Sequence, residues 1–195
     1  MNALISVLVP LAYLLGTFPS AILVARSKGI DITAVGSGNP GASNIARTLG
    51  AKWGIAVFTM DALKGAVPAA VGLLLDTRPG AYVLIAAAVL GHMYPVTRGF
   101  RGGKGVATLG GATIVLHPVV FAALVALWYV VRKATKKASL ASFAVIIGLP
   151  VGVAVSGRPG WEVAAVVGLA LLVMVRHVDN IKRLLAGNEL SATKS

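Results

Sequence analysis

Gly105-Val106-Ala107-Thr108-Leu109-Gly110-Gly111-Ala112-Thr113-Ile114-Val115-Leu116-His117-Pro118-Val119-Val120-Phe121-Ala122-Ala123-Leu124-Val125-Ala126-Leu127-Trp128-Tyr129-Val130-Val131 is almost wholly apolar, and the number of times it crosses a bilayer decides the fold. A spanning helix needs about 20 apolar residues. This run is either one long helix or two short ones meeting at His117-Pro118, since proline inside a helix removes a hydrogen bond and kinks the rod. The flanking charge chooses between them. Basic residues gather in four regions: Arg26, Lys28, Arg47 and Lys52; Arg98, Arg101 and Lys104; Arg132, Lys133, Lys136 and Lys137; and Arg176, Lys182, Arg183 and Lys194. The remaining connectors hold only Arg78 and Arg158. A single crossing would put Arg132–Lys137 outside. A hairpin puts all fifteen cations of the four regions on the cytoplasmic side against two opposite, as the positive-inside rule favours. Each half would be short, about 18 to 20 Å at helical rise, and would pack inside the bundle or thin the bilayer.

Working outward, the other apolar runs are Ala3–Ala25, Gly54–Leu75, Ala81–Val96, Ala138–Val155 and Pro159–Val175. The expected fold is therefore an all-α integral membrane protein with about seven transmembrane helical segments, five full spans plus the short hairpin. The N-terminus lies outside and the C-terminus in the cytoplasm. One domain covers residues 1–195, with a flexible tail after about 189. Composition agrees: the chain is 57% hydrophobic and 12% charged, with mean hydropathy +0.86, whereas soluble domains carry about 25% charged residues. The first run is too long, and wrongly flanked, for a cleaved signal peptide. Without cysteine, disulfides and thiol chemistry are excluded. Gly148 and Gly152 permit close helix packing. No internal repeat is evident, which counts against a transporter. The net charge of +12 fits both the positive-inside bias and an anionic substrate. No soluble basic domain is present to carry nucleic-acid binding, so none is expected.

Three polar, glycine-bearing stretches interrupt the apolar runs: Gly36-Ser37-Gly38-Asn39-Pro40-Gly41-Ala42-Ser43-Asn44-Ile45-Ala46-Arg47, Arg98-Gly99-Phe100-Arg101-Gly102-Gly103-Lys104-Gly105, and Arg176-His177-Val178-Asp179-Asn180-Ile181-Lys182-Arg183. Hydrogen-bonding groups of this density are costly in lipid and unnecessary for an anchor. If they meet on one face of the bundle they make a site for an anion such as phosphate. In the first, Gly36, Gly38 and Gly41 let backbone N–H groups converge on an oxyanion. Ser37 offers a hydroxyl, Asn44 caps or lines the next helix, and Arg47 lies on the same side. The same residues also build an ordinary glycine-rich turn with an N-cap asparagine. The second is not a Walker A loop: Arg98 stands for its first glycine and Gly105 follows Lys104 where a hydroxyl is required. A phosphate held by Lys104 and a helix start remains open, beside a plain positive-inside loop. The third sets His177 and Asn180 on one helical face. Histidine moves protons near neutral pH, although a juxtamembrane cap with snorkelling arginines reads equally well.

Within the spans, Asp61 and Lys64 stand i,i+3 and read as an internal ion pair of mainly structural role, and His92 faces a polar bundle interior. The His-x-x-x-x-Asp dyad of soluble-facing glycerolipid acyltransferases is missing, as Thr97, Ala122 and Lys182 hold the fifth positions after the histidines. No Gly-x-Ser-x-Gly elbow occurs. No paired-histidine or acidic cluster calls for a metal, and no cofactor is expected.

Together, Gly36-Ser37-Gly38-Asn39 with Gly41-Ala42-Ser43-Asn44 and Arg47, Asp61-Ala62-Leu63-Lys64-Gly65, Gly91-His92-Met93-Tyr94-Pro95, Phe100-Arg101-Gly102-Gly103-Lys104-Gly105, and Arg176-His177 through Asn180-Ile181 resemble the bacterial acyl-phosphate:glycerol-3-phosphate acyltransferase family. The resemblance runs from Gly16 to Glu189. It departs at Ser43, where threonine is expected, and Pro40 stiffens a variable position. It implies a multi-pass enzyme of the bacterial inner membrane, with its site on the cytoplasmic side. The enzyme would move an acyl group from acyl phosphate to the 1-hydroxyl of glycerol 3-phosphate, giving lysophosphatidic acid and inorganic phosphate. On that resemblance His177, Asn180 and Lys104 are expected to be catalytic. Ser37, Gly38, Asn39, Gly41, Asn44, Arg47, Gly102, Gly103 and Lys104 are expected to bind the substrate phosphates. The alternatives are a transporter or flippase for a phosphate ester, which needs a pathway the short opposite connectors do not offer, and an acyl-CoA-dependent transferase.

Overall fold

In lipid, a backbone must satisfy its own hydrogen bonds, and a helix does so within one segment. The computed structural model describes residues 3–75 and 78–192, and among them every regular element is helical. Among these residues five stretches are long and apolar enough to cross a membrane: Ala3–Arg26, Ala51–Leu75, Arg78–Arg98, Pro118–Thr135 and Ala138–Val155. A sixth arises if Gly160–Val175 and Val178–Leu185, bent by 58°, count as one. Lys194, used in the charge argument, lies outside the described residues. The chain divides into two compact units, Met1–Leu116 and His117–Ser195.

The first unit holds α1 (Ala3–Gly16), α2 (Ser20–Arg26), α3 (Ala42–Leu49), α4 (Ala51–Leu75), α5 (Arg78–Met93), a 3-10 turn (Val96–Arg98) and α6 (Val106–Leu116). The continuous helix expected over Ala3–Ala25 breaks at Thr17–Pro19, because Pro19 supplies no N–H and takes a non-helical backbone of φ −89° and ψ 56°. α4 is the centre of this unit and packs against α1, α3, α5 and α6. It can do so because glycine lines its seams. A methyl at Gly65 would overlap the Thr108 carbonyl, one at Gly111 the Ala62 carbonyl, and one at Gly72 the backbone of Ala81. α5 begins three residues earlier than expected and ends at Met93, ahead of Pro95. There Tyr13 Oη on α1 donates to the Tyr94 carbonyl at 2.7 Å and accepts from Val96 N–H at 3.0 Å, spanning the proline.

The second unit holds α7 (Pro118–Thr135), α8 (Ala138–Val155), α9 (Gly160–Val175) and α10 (Val178–Leu185). α8 has the expected limits and packs on α7 and α9. Gly152 and Gly148 face Val120 and the pair Leu124 and Leu127, at 2.7 and 3.0 Å for an added methyl, which is the close helix packing read for them. The break at His117-Pro118 falls as expected, but the two halves are unequal. α6 has 11 residues and α7 has 18, so α7 is about 27 Å long at helical rise and is no half-helix. The helix runs past Val131 through Arg132 and Lys133, whose charges suit a helix C-terminus, and stops where Lys136 turns to φ 56°. Arg132 lies over the Trp128 ring at 5.2 Å. At the other end, His117 Nε2 is 3.6 Å from Glu162 Oε2, both side chains buried. Past Glu189, Ala192 N–H donates to the Lys136 carbonyl at 2.8 Å.

Candidate active site

The first stretch is organised by one side chain. Asn44, on the first turn of α3, is 1% exposed. Its Nδ2 donates to the carbonyls of Ile32 and Val35 at 3.2 and 2.9 Å. Its Oδ1 accepts from Ser37 N–H at 3.0 Å and from Arg47 Nη1 at 3.2 Å. That exhausts a carboxamide, which has two protons and two lone pairs. Asn44 therefore shapes the loop and aligns Arg47 on the expected side; it keeps nothing to give a phosphate directly. Gly36 must be glycine, since its φ is +60° and a methyl there would strike Asn44 Oδ1. The amides of the expected nest have partners within the loop. Ser37 N–H goes to Asn44, Gly38 N–H to the Val35 carbonyl at 3.0 Å, and Gly41 N–H to the Asn39 carbonyl at 3.0 Å. Asn39 N–H meets Ser37 Oγ at 3.4 Å. The glycines let the loop close on itself, with Ser37 and Arg47 both half-buried.

The second stretch folds back on the end of α5. Gly102 N–H donates to the Met93 carbonyl at 3.1 Å and Gly103 N–H to the His92 carbonyl at 3.0 Å. These two amides are likewise spent on the fold, and the half-buried Lys104 follows them. Gly99 and Phe100, at φ 55° and 62°, reverse the chain, and Gly105, at φ 88°, turns it into α6. Asp61 and Lys64 form the expected ion pair at 2.6 Å, and His92 joins it, with Nδ1 3.5 Å from Lys64 Nζ. Gly54 on α4 packs against Ala42 and Ala46 of α3, whereas Lys64 faces His92. The first stretch thus lies near the Ala51 end of α4 and the second against its middle, offset by about 15 Å along it.

The third stretch makes the bend between α9 and α10. His177, 2% exposed, donates from Nδ1 to the Val173 carbonyl at 2.8 Å, since a carbonyl only accepts. In the neutral ring Nε2 is therefore the proton-accepting nitrogen. Phe143 fixes the ring edge-on, 5.4 Å between centroids. Asn180 Nδ2 donates to Glu189 Oε1 at 2.8 Å, and Arg183 Nε to Glu189 Oε2 at 3.0 Å. Sequence reasoning missed Glu189 as the partner of Asn180. Its one signal was rarity, as one of six acidic residues beside eighteen basic ones.

Residues 6–187 match the family model described as Glycerol-3-phosphate acyltransferase. The chain is 45% identical over 190 residues to the glycerol-3-phosphate acyltransferase of Thioalkalivibrio sulfidiphilus, covering 95% of this chain and 93% of that one. It is 44% identical over 186 residues to the enzyme of that name from Rubrobacter xylanophilus, covering 93% and 92%. Its fold is similar to the crystal structure of PlsY, an integral membrane glycerol 3-phosphate acyltransferase, in the glycerol 3-phosphate form. The TM-score is 0.90 at 39% identity, over 96% of this chain and 94% of that one. The lysophosphatidic acid form of PlsY gives a TM-score of 0.88 at 38% identity, over the same shares.

Proposed function

The chain belongs to the glycerol-3-phosphate acyltransferase family, and on that premise we propose that its acyl donor is an acyl phosphate and its acceptor the 1-hydroxyl of glycerol 3-phosphate. The protein is an integral membrane enzyme that acylates glycerol 3-phosphate. In the proposed reaction the hydroxyl oxygen attacks the acyl carbon. The bond from that carbon to the phosphate oxygen breaks, and phosphate leaves with the electron pair. The hydroxyl proton passes to His177 Nε2 or to a phosphate oxygen. Lysophosphatidic acid and inorganic phosphate result. Ser37 Oγ, Arg47 and Lys104 hold the phosphates, the glycine loops keep those side chains in place, and His177 and Asn180 serve the reacting hydroxyl.

The observation that carries the donor assignment is the setting of His177. Its Nδ1 donates to a main-chain carbonyl, which leaves Nε2 as the accepting nitrogen. A mixed anhydride is activated enough to need no stronger base. Positioning and stabilisation of the departing phosphate supply most of the rate. Ser37 Oγ accepts from the Asn39 amide at 3.4 Å, which suits direct transfer without an acyl-serine. Purified protein given glycerol 3-phosphate is expected to release one phosphate per lysophosphatidic acid with acyl phosphate, undiminished by a chelator, and to be inert with acyl-CoA. Equal turnover with acyl-CoA overturns the donor assignment. In the same assay, near-normal turnover by His177→Ala removes the ring from proton transfer.

The proposed placement is the bacterial inner membrane, with the N-terminus outside, α6 and α7 re-entering as a hairpin, and the site opening to the cytoplasm. It rests on the distribution of basic residues. The chain is naturally free of cysteine, so single cysteines at exposed Lys52, Lys133 and Arg158 report on sidedness. The first two are expected to react with an impermeant thiol reagent from the cytoplasmic side and the third from the other. Labelling of Lys52 and Lys133 positions from opposite sides rejects the hairpin.

A further inference from the structure

The second glycine-rich stretch rests on a buried polar cluster that the reaction above leaves unused. Lys64 Nζ donates to Asp61 Oδ1 and to the Phe18 carbonyl, each at 2.6 Å, and meets His92 Nδ1 at 3.5 Å. Asp61, Lys64 and His92 are 2%, 3% and 5% exposed. An ammonium group only donates, so the ring nitrogen facing it is the accepting one and the proton of a neutral His92 sits on Nε2. Asp61 Oδ1 lies 3.7 Å from Nδ1, beyond hydrogen-bond reach. The other edge of the ring is turned to Gly103. A methyl on Gly103 would strike Nε2, with Cε1 and Cδ2 next at 2.8 and 3.1 Å, so its three nearest neighbours all belong to His92. The main chain closes the same contact, through Gly103 N–H on the His92 carbonyl. Lys104 follows at once. Burying charge in a spanning segment is costly, and an apolar side chain would fill this space more cheaply.

We infer that His92 is a positioning residue for Lys104. The Asp61–Lys64 pair fixes the imidazole, and the imidazole is the floor that sets Gly103, and with it the point from which Lys104 reaches a phosphate oxygen. The inference rests on the phosphate-binding role proposed for Lys104. It predicts a reciprocal fit between one ring and one missing side chain. His92→Asn keeps an oxygen for Lys64 Nζ where Nδ1 stood and removes the far edge of the ring. It is expected to raise KM for the phosphate substrates and to lower kcat/KM by about 10²-fold, the cost of misplacing a binding group by about 1 Å. Gly103→Ala is expected to be impaired because its methyl meets the ring, and adding His92→Asn should restore about tenfold of that loss through coupling of touching residues. Gly102→Ala should not be restored, because its methyl meets the His92 and Met93 carbonyls, which every substitution retains. His92→Ala repeats the cycle if His92→Asn does not fold.

Rescue of Gly103→Ala alone upholds the inference. Rescue of both glycine variants or of neither overturns it, as do wild-type KM and kcat in His92→Asn. Lys104→Ala separates the two claims. If it is inactive while His92 variants are normal, only the positioning role fails; if it is fully active, the phosphate reading fails.

Discussion

Lys104→Ala will lower kcat/KM for acyl transfer by about 10²- to 10³-fold, the usual cost of deleting one group that stabilises developing charge, and will leave the thermal unfolding transition of the purified protein in place. Both halves follow from where the residue sits. Lys104 is half-buried in the turn before α6, and the main-chain bonds that fix that turn belong to Gly102 and Gly103, so removing its side chain leaves the turn's own support intact. Arg47→Ala is expected to cost a similar amount, because its guanidinium is the cation that Asn44 aligns at the first stretch. Lys104→Arg keeps the charge but spreads it over a planar fork, and should recover part of the loss, since the two cations present different geometry to a phosphate. Steady-state kinetics with acyl phosphate and glycerol 3-phosphate, beside a melting curve, checks all three. Wild-type kcat/KM in Lys104→Ala would remove the residue from the site.

The helical class and the helix limits were readable wherever hydropathy and turn residues agree. α8 is bounded by Lys137 and by Ser156-Gly157, and its expected and observed limits coincide. α4 begins three residues early because Lys52 and Trp53 look like loop to a hydropathy argument, yet both extend the helix, with Lys28 and Lys52 lying 4.4 and 5.9 Å from the Trp53 ring. The break at Pro19 escaped notice because an apolar run looks the same to hydropathy whether or not its backbone is continuous. At the site, the need for glycine was legible and the destination of the amides was not. Asn44 could cap its own helix locally, but it reaches back twelve residues to the Ile32 carbonyl, a choice made by the packing of buried Ile32 and Ile45. The pairings of His92 with Gly103 and of Asn180 with Glu189 are of the same kind. Residue type announced that each polar group needed a partner, and only the fold says which.

Gly65→Ala and Gly111→Ala will each lower the melting temperature by roughly 4 to 8 °C, although alanine is the better helix former. Intrinsic propensity favours alanine over glycine by about 1 kcal/mol in a helix interior, so a helical glycine with open space around it should be stabilised by the change. Gly168 in α9 is such a position, with nothing within 4 Å of an added methyl, and Gly168→Ala is the control expected to hold or raise the transition. At the seam between α4 and α6 the sign reverses. The methyl at Gly65 overlaps the Thr108 carbonyl and comes within 3.1 Å of Ala112 N; the methyl at Gly111 overlaps the Ala62 carbonyl, with Ala62 Cα at 2.8 Å. These are main-chain atoms, which cannot turn aside as a side chain would, so the helices must part. Overpacking costs about 1 to 3 kcal/mol, and against main-chain atoms the upper end applies, so about 2 kcal/mol remains after the propensity gain, a shift of about 4 to 8 °C in a chain of this size. In a membrane the loss is not refunded by hydrophobic collapse, because small-residue contact is itself what holds such helices together. α6 also carries the Lys104 turn at its start, so activity should fall with the transition at both glycines and survive at Gly168. An unchanged transition in Gly65→Ala would mean that α4 and α6 do not meet backbone to backbone, and the second stretch would lose its anchor with them.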